Sequence, residues 1–207
     1  MVLVDSHENF IAESPDYAQY TAIGVGPGIG VANETGDLIE RLMRRTQIPI
    51  PLVLDADALN IISKYRPLKS LLTQRNVITP HPGEFKRIVG DWRDDSQRLQ
   101  RQMEISRQQK TVVVLKGAHT SISTASGKVY FNSTGNPGMA KGGSGDALTG
   151  VITSLLAQGY TGDAASLIGV YIHGRAGDHA VAALGQTGIT TRDIISHLPG
   201  AFAEFER

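Results

Sequence analysis

The stretch Gly135-Asn136-Pro137-Gly138-Met139-Ala140-Lys141-Gly142-Gly143-Ser144-Gly145-Asp146 is where residue types and spacing most plainly suit chemistry. It runs into Leu148, Val151, Ile152, Leu155 and Leu156, an i, i+3, i+4, i+7, i+8 stripe that predicts an amphipathic helix after Asp146. Gly142, Gly143 and Gly145 at such a helix start let backbone N–H groups converge on an anion, and the helix dipole adds to the attraction. A carboxylate at the mouth of that site works against simple anion binding. It makes sense where it must take a proton from a hydroxyl attacking a bound phosphate. An ordinary glycine-rich turn, with Asp146 compensating the dipole, uses the same residues, and both readings stand at this level. Two familiar motifs fail. A Walker loop needs Gly at 140 and Ser or Thr at 142, where the chain has Ala140 and Gly142; the dinucleotide fingerprint fails at 24–31 because Ile29 or Val31 replaces its third small residue.

Other clusters are less specific. Lys116-Gly117-Ala118-His119-Thr120 combines a turn, a cation and a hydroxyl, which suits a phosphate or an adenosine, or equally a plain strand-to-hairpin turn. His81 stands between Pro80 and Pro82, in a stiff loop suited to a positioned hydrogen-bonding group or to a structural histidine. Glu84 falls at a helix start. It serves there as dipole compensation or as a water-mediated contact to Mg²⁺. Asp55 and Asp57 can line a pocket, with capping of the next helix the stronger reading for Asp57. Gly26-Pro27-Gly28-Ile29-Gly30 lets a ligand approach the backbone closely, or is a tight turn. His173 and His179 lie on an apolar helix and read as core or interface residues. No His and carboxylate pair has zinc spacing.

The elements that position these clusters alternate. Apolar runs at 21–25, 50–54, 76–79 and 111–115 read as strands, each followed by one of the clusters. Helices are expected at 33–45 capped by Asn33, after Asp57, opening within Pro80–Glu84, over 94–109, after Asp146, over 163–184, and from Gly188 to Glu206 with a bend near Pro199. Residues 121–131 read as a hairpin turning at Ser126-Gly127, and Val2, Leu3 and Val4 could supply one short strand. The alternation implies an α/β layered fold with a mainly parallel sheet, in which ligands bind beyond the carboxyl ends of the strands.

The whole chain sets bounds. With 207 residues, 41% of them hydrophobic and 19% charged, one ordered domain with its own core is expected. Lys plus Arg equals Asp plus Glu at 20 each, which argues against a general nucleic-acid or anionic-membrane binder. The absence of Cys removes disulfides, thiolate nucleophiles and Cys-ligated zinc, and fits a reducing, cytoplasmic setting. No apolar run approaches the roughly 20 residues of a membrane span.

Taken in order, VGPGIG at 25–30, LDADALN at 54–60, TPHPGEF at 79–85, LKGAHT at 115–120 and GNPGMAKGGSGDALTG at 135–150 resemble the ADP- or ATP-dependent NAD(P)H-hydrate dehydratases of the ribokinase-like superfamily. TPHPGE and GNPGMA…GSGD are specific to that family, whereas GxGD alone marks only the superfamily. The resemblance implies a single ribokinase-like domain over 1–207. It implies that a nucleotide phosphorylates the C6 hydroxyl of (6S)-NADHX or (6S)-NADPHX and that phosphate then leaves. Asp146 would be the base and would touch the substrate with Gly30 and His81. Lys116, Gly117, Ala118, His119 and Thr120 would hold the nucleotide, Gly143, Ser144 and Gly145 would form the anion hole, and Glu84 would reach Mg²⁺ through water. Relatives carry a glycine-rich strand–helix segment upstream of VGPGIG. Its absence here leads to the expectation of a homo-oligomer or a complementing polypeptide. A ribokinase-like kinase of a small alcohol and a non-catalytic nucleotide-binding module are the competing expectations.

Overall fold

The computed structural model describes residues 4–13, 16–44 and 50–205. Four short apolar runs form the parallel part of the sheet: β1 (Ile23–Val25), β2 (Leu52–Leu54), β3 (Asn76–Ile78) and β4 (Val112–Leu115). They pair in sequence order, with Ile23 opposite Leu52, Leu52 opposite Asn76 and Val77 opposite Val112. The hairpin β5 (Ser121–Ser123) and β6 (Val129–Phe131) continues the sheet antiparallel, so the order is β1-β2-β3-β4-β5-β6.

Side-chain alternation explains the layers. Leu52, Leu54, Ile78, Val113 and Leu115 point to one face. There they pack on α1 (Asn33–Arg44), α2 (Ala56–Lys64), α3 (Arg66–Lys69), α4 (Pro82–Val89) and α5 (Asp95–Gln109). Val53, Val77, Val112 and Val114 point to the other, against α6 (Ser144–Ala157) and α7 (Gly162–Leu184). A third apolar cluster joins α7 to α8 (Thr191–Ala203). Every crossover between the parallel strands runs over the first face, which is why the strands line up in chain order. The second face is left for the helices that carry the glycine-rich loop.

Several boundaries differ from the sequence reading. Asn33 is the first helical residue of α1 and does not cap it; its side chain accepts a hydrogen bond from the Tyr65 hydroxyl. Arg45 and Glu206 lie outside the described residues. Helix α6 begins at Ser144, not after Asp146, because Gly143 takes the left-handed conformation at φ 84° and starts the turn early. Helix α8 begins at Thr191, where Thr190 and Asp193 make a reciprocal capping box, and it keeps Pro199 inside it. Of the strand expected from Val2, Leu3 and Val4, only Val4 is described; it is exposed and in no strand. No helix of the described residues is long and apolar enough to cross a membrane.

Candidate active site

Backbone hydrogen bonds continue past the strand ends and bring the loops together. Asp55 N donates to Val25 O at 3.1 Å, Thr79 N to Leu54 O at 3.1 Å, and Lys116 N to Pro80 O at 2.8 Å. The loops 26–30, 55–57, 79–84 and 116–120 therefore sit side by side at the carboxyl edge of the sheet, as the fold class requires.

The turn Asp55-Ala56-Asp57 distributes two carboxylates. Asp55 is 1% exposed. Its Oδ1 lies 2.6 Å from Lys116 Nζ, and its Oδ2 accepts from Thr149 Oγ1 at 2.8 Å. Asp57 does not cap α2: its Oδ2 accepts from Gly30 N at 3.0 Å, and Oδ1 accepts from Asn60 at 3.3 Å. The helix-capping expectation for Asp57 fails because the neighbouring glycine loop offers an amide donor. Asp57 thereby fixes the Gly30 end of that loop, while Gly30 itself stays exposed.

The glycine-rich loop is pinned to α7. Asp178 accepts from Gly135 N at 3.0 Å and from Asn136 Nδ2 at 2.9 Å. A Cβ added at Gly174 would stand 2.8 Å from the Thr134 carbonyl carbon, so only glycine admits the loop backbone this close, and Gly177 leaves room for the Met139 side chain. Thr191 Oγ1 donates to Gly142 O at 2.8 Å at the far end. Four helices elsewhere have side-chain caps from His81, Asp94, Thr161 and Thr190, but Gly143 gives α6 none. Ser144 N donates to Lys141 O at 3.4 Å, a long bond, and no hydrogen bond among the described residues takes the Gly145 and Asp146 amides, which are left for an external acceptor. Asp146 lies in this turn, exposed and with no hydrogen bond or ion pair among the described residues. Gly145 faces Lys116: its added Cβ would lie 3.2 Å from Nζ. Sequence reasoning separated Lys116 from the anion loop, and the fold joins them. Gly117, Ala118 and His119 are exposed beyond it, and Thr120 Oγ1 donates to Gly117 O at 3.1 Å to close their turn.

His81 and Glu84 cap α4. His81 Nδ1 accepts from Gly83 N at 3.0 Å and from Glu84 N at 3.4 Å, and Glu84 Oε2 accepts from His81 N at 2.8 Å. Glu84 is buried, and its Oε1 lies 3.3 Å from His81 Nε2. Replacing His81 by Ala is expected to cost about 1 kcal/mol of stability through the lost cap. Urea unfolding checks this, with His81→Asn, which keeps an acceptor, recovering most of the loss.

Of the helix histidines, His179 pairs with Glu204 at 2.8 Å, whereas His173 is buried against the start of α6. Burial pushes the His173 imidazole down to about 4, against the upward pull of a hydrogen bond with the Ser144 backbone. A histidine held neutral in the fold takes a proton more readily when unfolded. The unfolded chain binds more protons between about 6.5 and about 4, so stability falls as pH drops through that window. The loss is at most roughly 3 kcal/mol. Urea midpoints for the native chain are expected to fall from pH 7 to pH 4 more steeply than those of His173→Gln; equal slopes would remove His173 as the cause.

Chemically, the edge offers an uncapped helix start, a fixed ammonium behind it, a free carboxylate in its first turn and an exposed loop at Gly30. Those are the parts of a phosphoryl-transfer site. A family model described as NAD(P)H-hydrate dehydratase matches residues 2–200. The bifunctional NAD(P)H-hydrate repair enzyme of Moorella thermoacetica is 39% identical over 191 residues, covering 91% of this chain and 36% of that protein. The chain thus spans about a third of the length of the curated relatives it matches. The ADP/ATP-dependent NAD(P)H-hydrate dehydratase of Bacillus subtilis, co-crystallized with ATP/Mg²⁺, aligns at TM-score 0.75 and 28% identity over 96% of this chain and 68% of that one. The hydroxyethylthiazole kinase of Pyrococcus horikoshii shares the fold at TM-score 0.70 and 16% identity, covering 86% of this chain and 70% of that one.

Proposed function

The chain belongs to the NAD(P)H-hydrate dehydratase family, and from that premise we propose that its carboxyl-edge site restores hydrated nicotinamide cofactor at the expense of ADP or ATP. The observation that carries this reading is the pairing of an uncapped, glycine-started helix α6 with the free Asp146 carboxylate in its first turn. The C6 hydroxyl of (6S)-NAD(P)HX attacks the terminal phosphorus of the nucleotide, and Asp146 takes the hydroxyl proton. The bond to the nucleotide's bridging oxygen breaks, releasing the shortened nucleotide. The C6–O bond then breaks as the ring nitrogen donates its lone pair, phosphate departs, and loss of the C5 proton closes the double bond of NAD(P)H. Hydroxide is a poor leaving group and phosphate a good one, so a kinase-type site suffices for a dehydration.

In this reading the amides of Gly143, Ser144 and Gly145 hold the transferring phosphate. Gly117–Thr120 hold the adenosine end. Gly30 and His81 face the dinucleotide, with Asp57 fixing the Gly30 amide. Glu84 has one oxygen taken by the His81 amide and the other near His81 Nε2, which suits a contact to Mg²⁺ through water and not a direct bond. Mg²⁺, when bound, supplies charge neutralisation on the nucleotide phosphates. A cytoplasmic setting, where NAD(P)H is used, completes the proposal.

Phosphate accounting tests it. The chain is incubated with NADHX, Mg²⁺ and ADP or ATP, and the products are resolved. Inorganic phosphate released one for one with NADH is expected. A stable phosphorylated substrate would assign the site to a small-molecule kinase instead.

A further inference from the structure

Asp55 and Thr149 have no part in the reaction as written above, yet they meet the group nearest the anion loop. Asp55 follows β2, Lys116 follows β4 and Thr149 sits on α6, so three separate elements converge on one carboxylate. We propose that Asp55 and Thr149 are positioning residues that hold the Lys116 ammonium against the Gly145 backbone, where it neutralises the phosphate end of the nucleotide and not its adenosine end. This rests on the nucleotide reading above.

Three observations on the protein carry it. The first is saturation of Asp55. Both of its oxygens are engaged, one by Lys116 and one by Thr149, and it is buried. A buried carboxylate is tolerated only when paired in this way, so Asp55 is not free to ligate a metal and its role runs through Lys116. The second is the geometry of the cation. An ammonium has three donors, and Asp55 takes one, at 2.6 Å. Lys116 keeps 21% of its side chain exposed, so its head is neither sealed in the core nor loose in solvent. The 3.2 Å from Nζ to an added Cβ on Gly145 places that head beside the first turn of α6. The third is the backbone of the turn. Ala56, next to Asp55, sits at φ 45°, a left-handed conformation costly for a residue with a Cβ. Gly26 packs so closely that its added Cβ would stand 1.8 Å from the Asp55 carbonyl oxygen. Strain of this kind persists only where surrounding contacts fix it, and here they fix the carboxylate that aims the lysine. The placement also answers an electrostatic problem. Asp146 puts a negative charge in the same turn that must accept a polyphosphate, and Lys116 supplies the opposing charge at that turn.

The test separates the two ends of the nucleotide. Calorimetry compares adenosine with ATP, Mg²⁺ present, on the native chain, Lys116→Met, Thr149→Val, Thr149→Ser and the Lys116→Met/Thr149→Val double variant, each first checked by thermal melting for a native-like transition. Lys116→Met is expected to weaken ATP by about tenfold or more while adenosine stays within about twofold, because a charge-assisted contact to phosphate is lost. Thr149→Val is expected to weaken ATP several-fold in the native background and to add nothing in the Lys116→Met background, since it acts through that lysine. Thr149→Ser is expected to match the native chain. Equal losses for adenosine and ATP in Lys116→Met, or no loss for either, would overturn the assignment to the phosphate end. Additive effects in the double variant would overturn the positioning role. A native chain that binds neither ligand is a separate result and would overturn the nucleotide reading itself.

Discussion

Asp146→Asn is expected to lower turnover by about 10²–10⁴-fold while leaving nucleotide affinity within about twofold. The amide keeps the size of the carboxylate but cannot accept the hydroxyl proton. The Asp146 side chain makes no hydrogen bond or ion pair among the described residues, so only the modest interaction of its charge with the α6 dipole is lost from the fold. Removing a negative charge beside a polyphosphate acts, if anything, in favour of nucleotide binding. Single-turnover rates and calorimetry on one preparation separate the two quantities. Equal turnover by the native chain and Asp146→Asn would remove Asp146 as the base.

The second large effect is on stability. Gly26→Ala is expected to cost at least about 3 kcal/mol, because two penalties coincide. Gly26 has φ 139°, which a residue with a Cβ rarely adopts, and the added Cβ would stand 1.8 Å from the Asp55 carbonyl oxygen, well inside contact distance. Backbone cannot rotate away as a side chain can. Gly28 supplies the control: at φ 68° with no atom within 4 Å of the added Cβ, Gly28→Ala carries only the conformational term. That term is about 1–2 kcal/mol. Urea unfolding of both variants should show the larger loss at Gly26. Similar losses at the two positions would mean that the Gly26–Asp55 contact relaxes freely.

The strands were legible because buried parallel strands are written as short apolar runs, and here each run is followed by its own loop cluster. That pattern is local, so 50–54, 76–79 and 111–115 each contain the strand observed. Helix starts were less legible. Gly143 begins α6 through a left-handed φ, and no side chain marks that start. At α8 the capping box of Thr190 and Asp193 was in the sequence, and it places the start at Thr191 and not at Gly188. The candidate site divides in the same way. The glycine-rich loop and Asp146 stood out through composition. The link among Asp55, Lys116 and Thr149 did not, since its members lie 61 and 94 residues apart from Asp55 and only the sheet order brings them together. The role of Asp57 was misread for a related reason: a carboxylate at a helix start usually caps, and only the neighbouring Gly26–Gly30 loop supplies the competing amide. Gly174 and Gly177 gave no sequence signal beyond being small, because what they admit is a loop some 40 residues distant that packs against α7.

Nucleotide-dependent dehydration is measured by following NADH absorbance after NADHX is mixed with the chain and Mg²⁺, with ADP or ATP present in one cuvette and absent in the other. NADH is expected to appear only where nucleotide is present, at a rate proportional to protein and abolished in Asp146→Asn. NADH appearing at the same rate without nucleotide, or no NADH from a chain that calorimetry shows to bind both ATP and NADHX, would mean that this site does not drive dehydration by phosphoryl transfer.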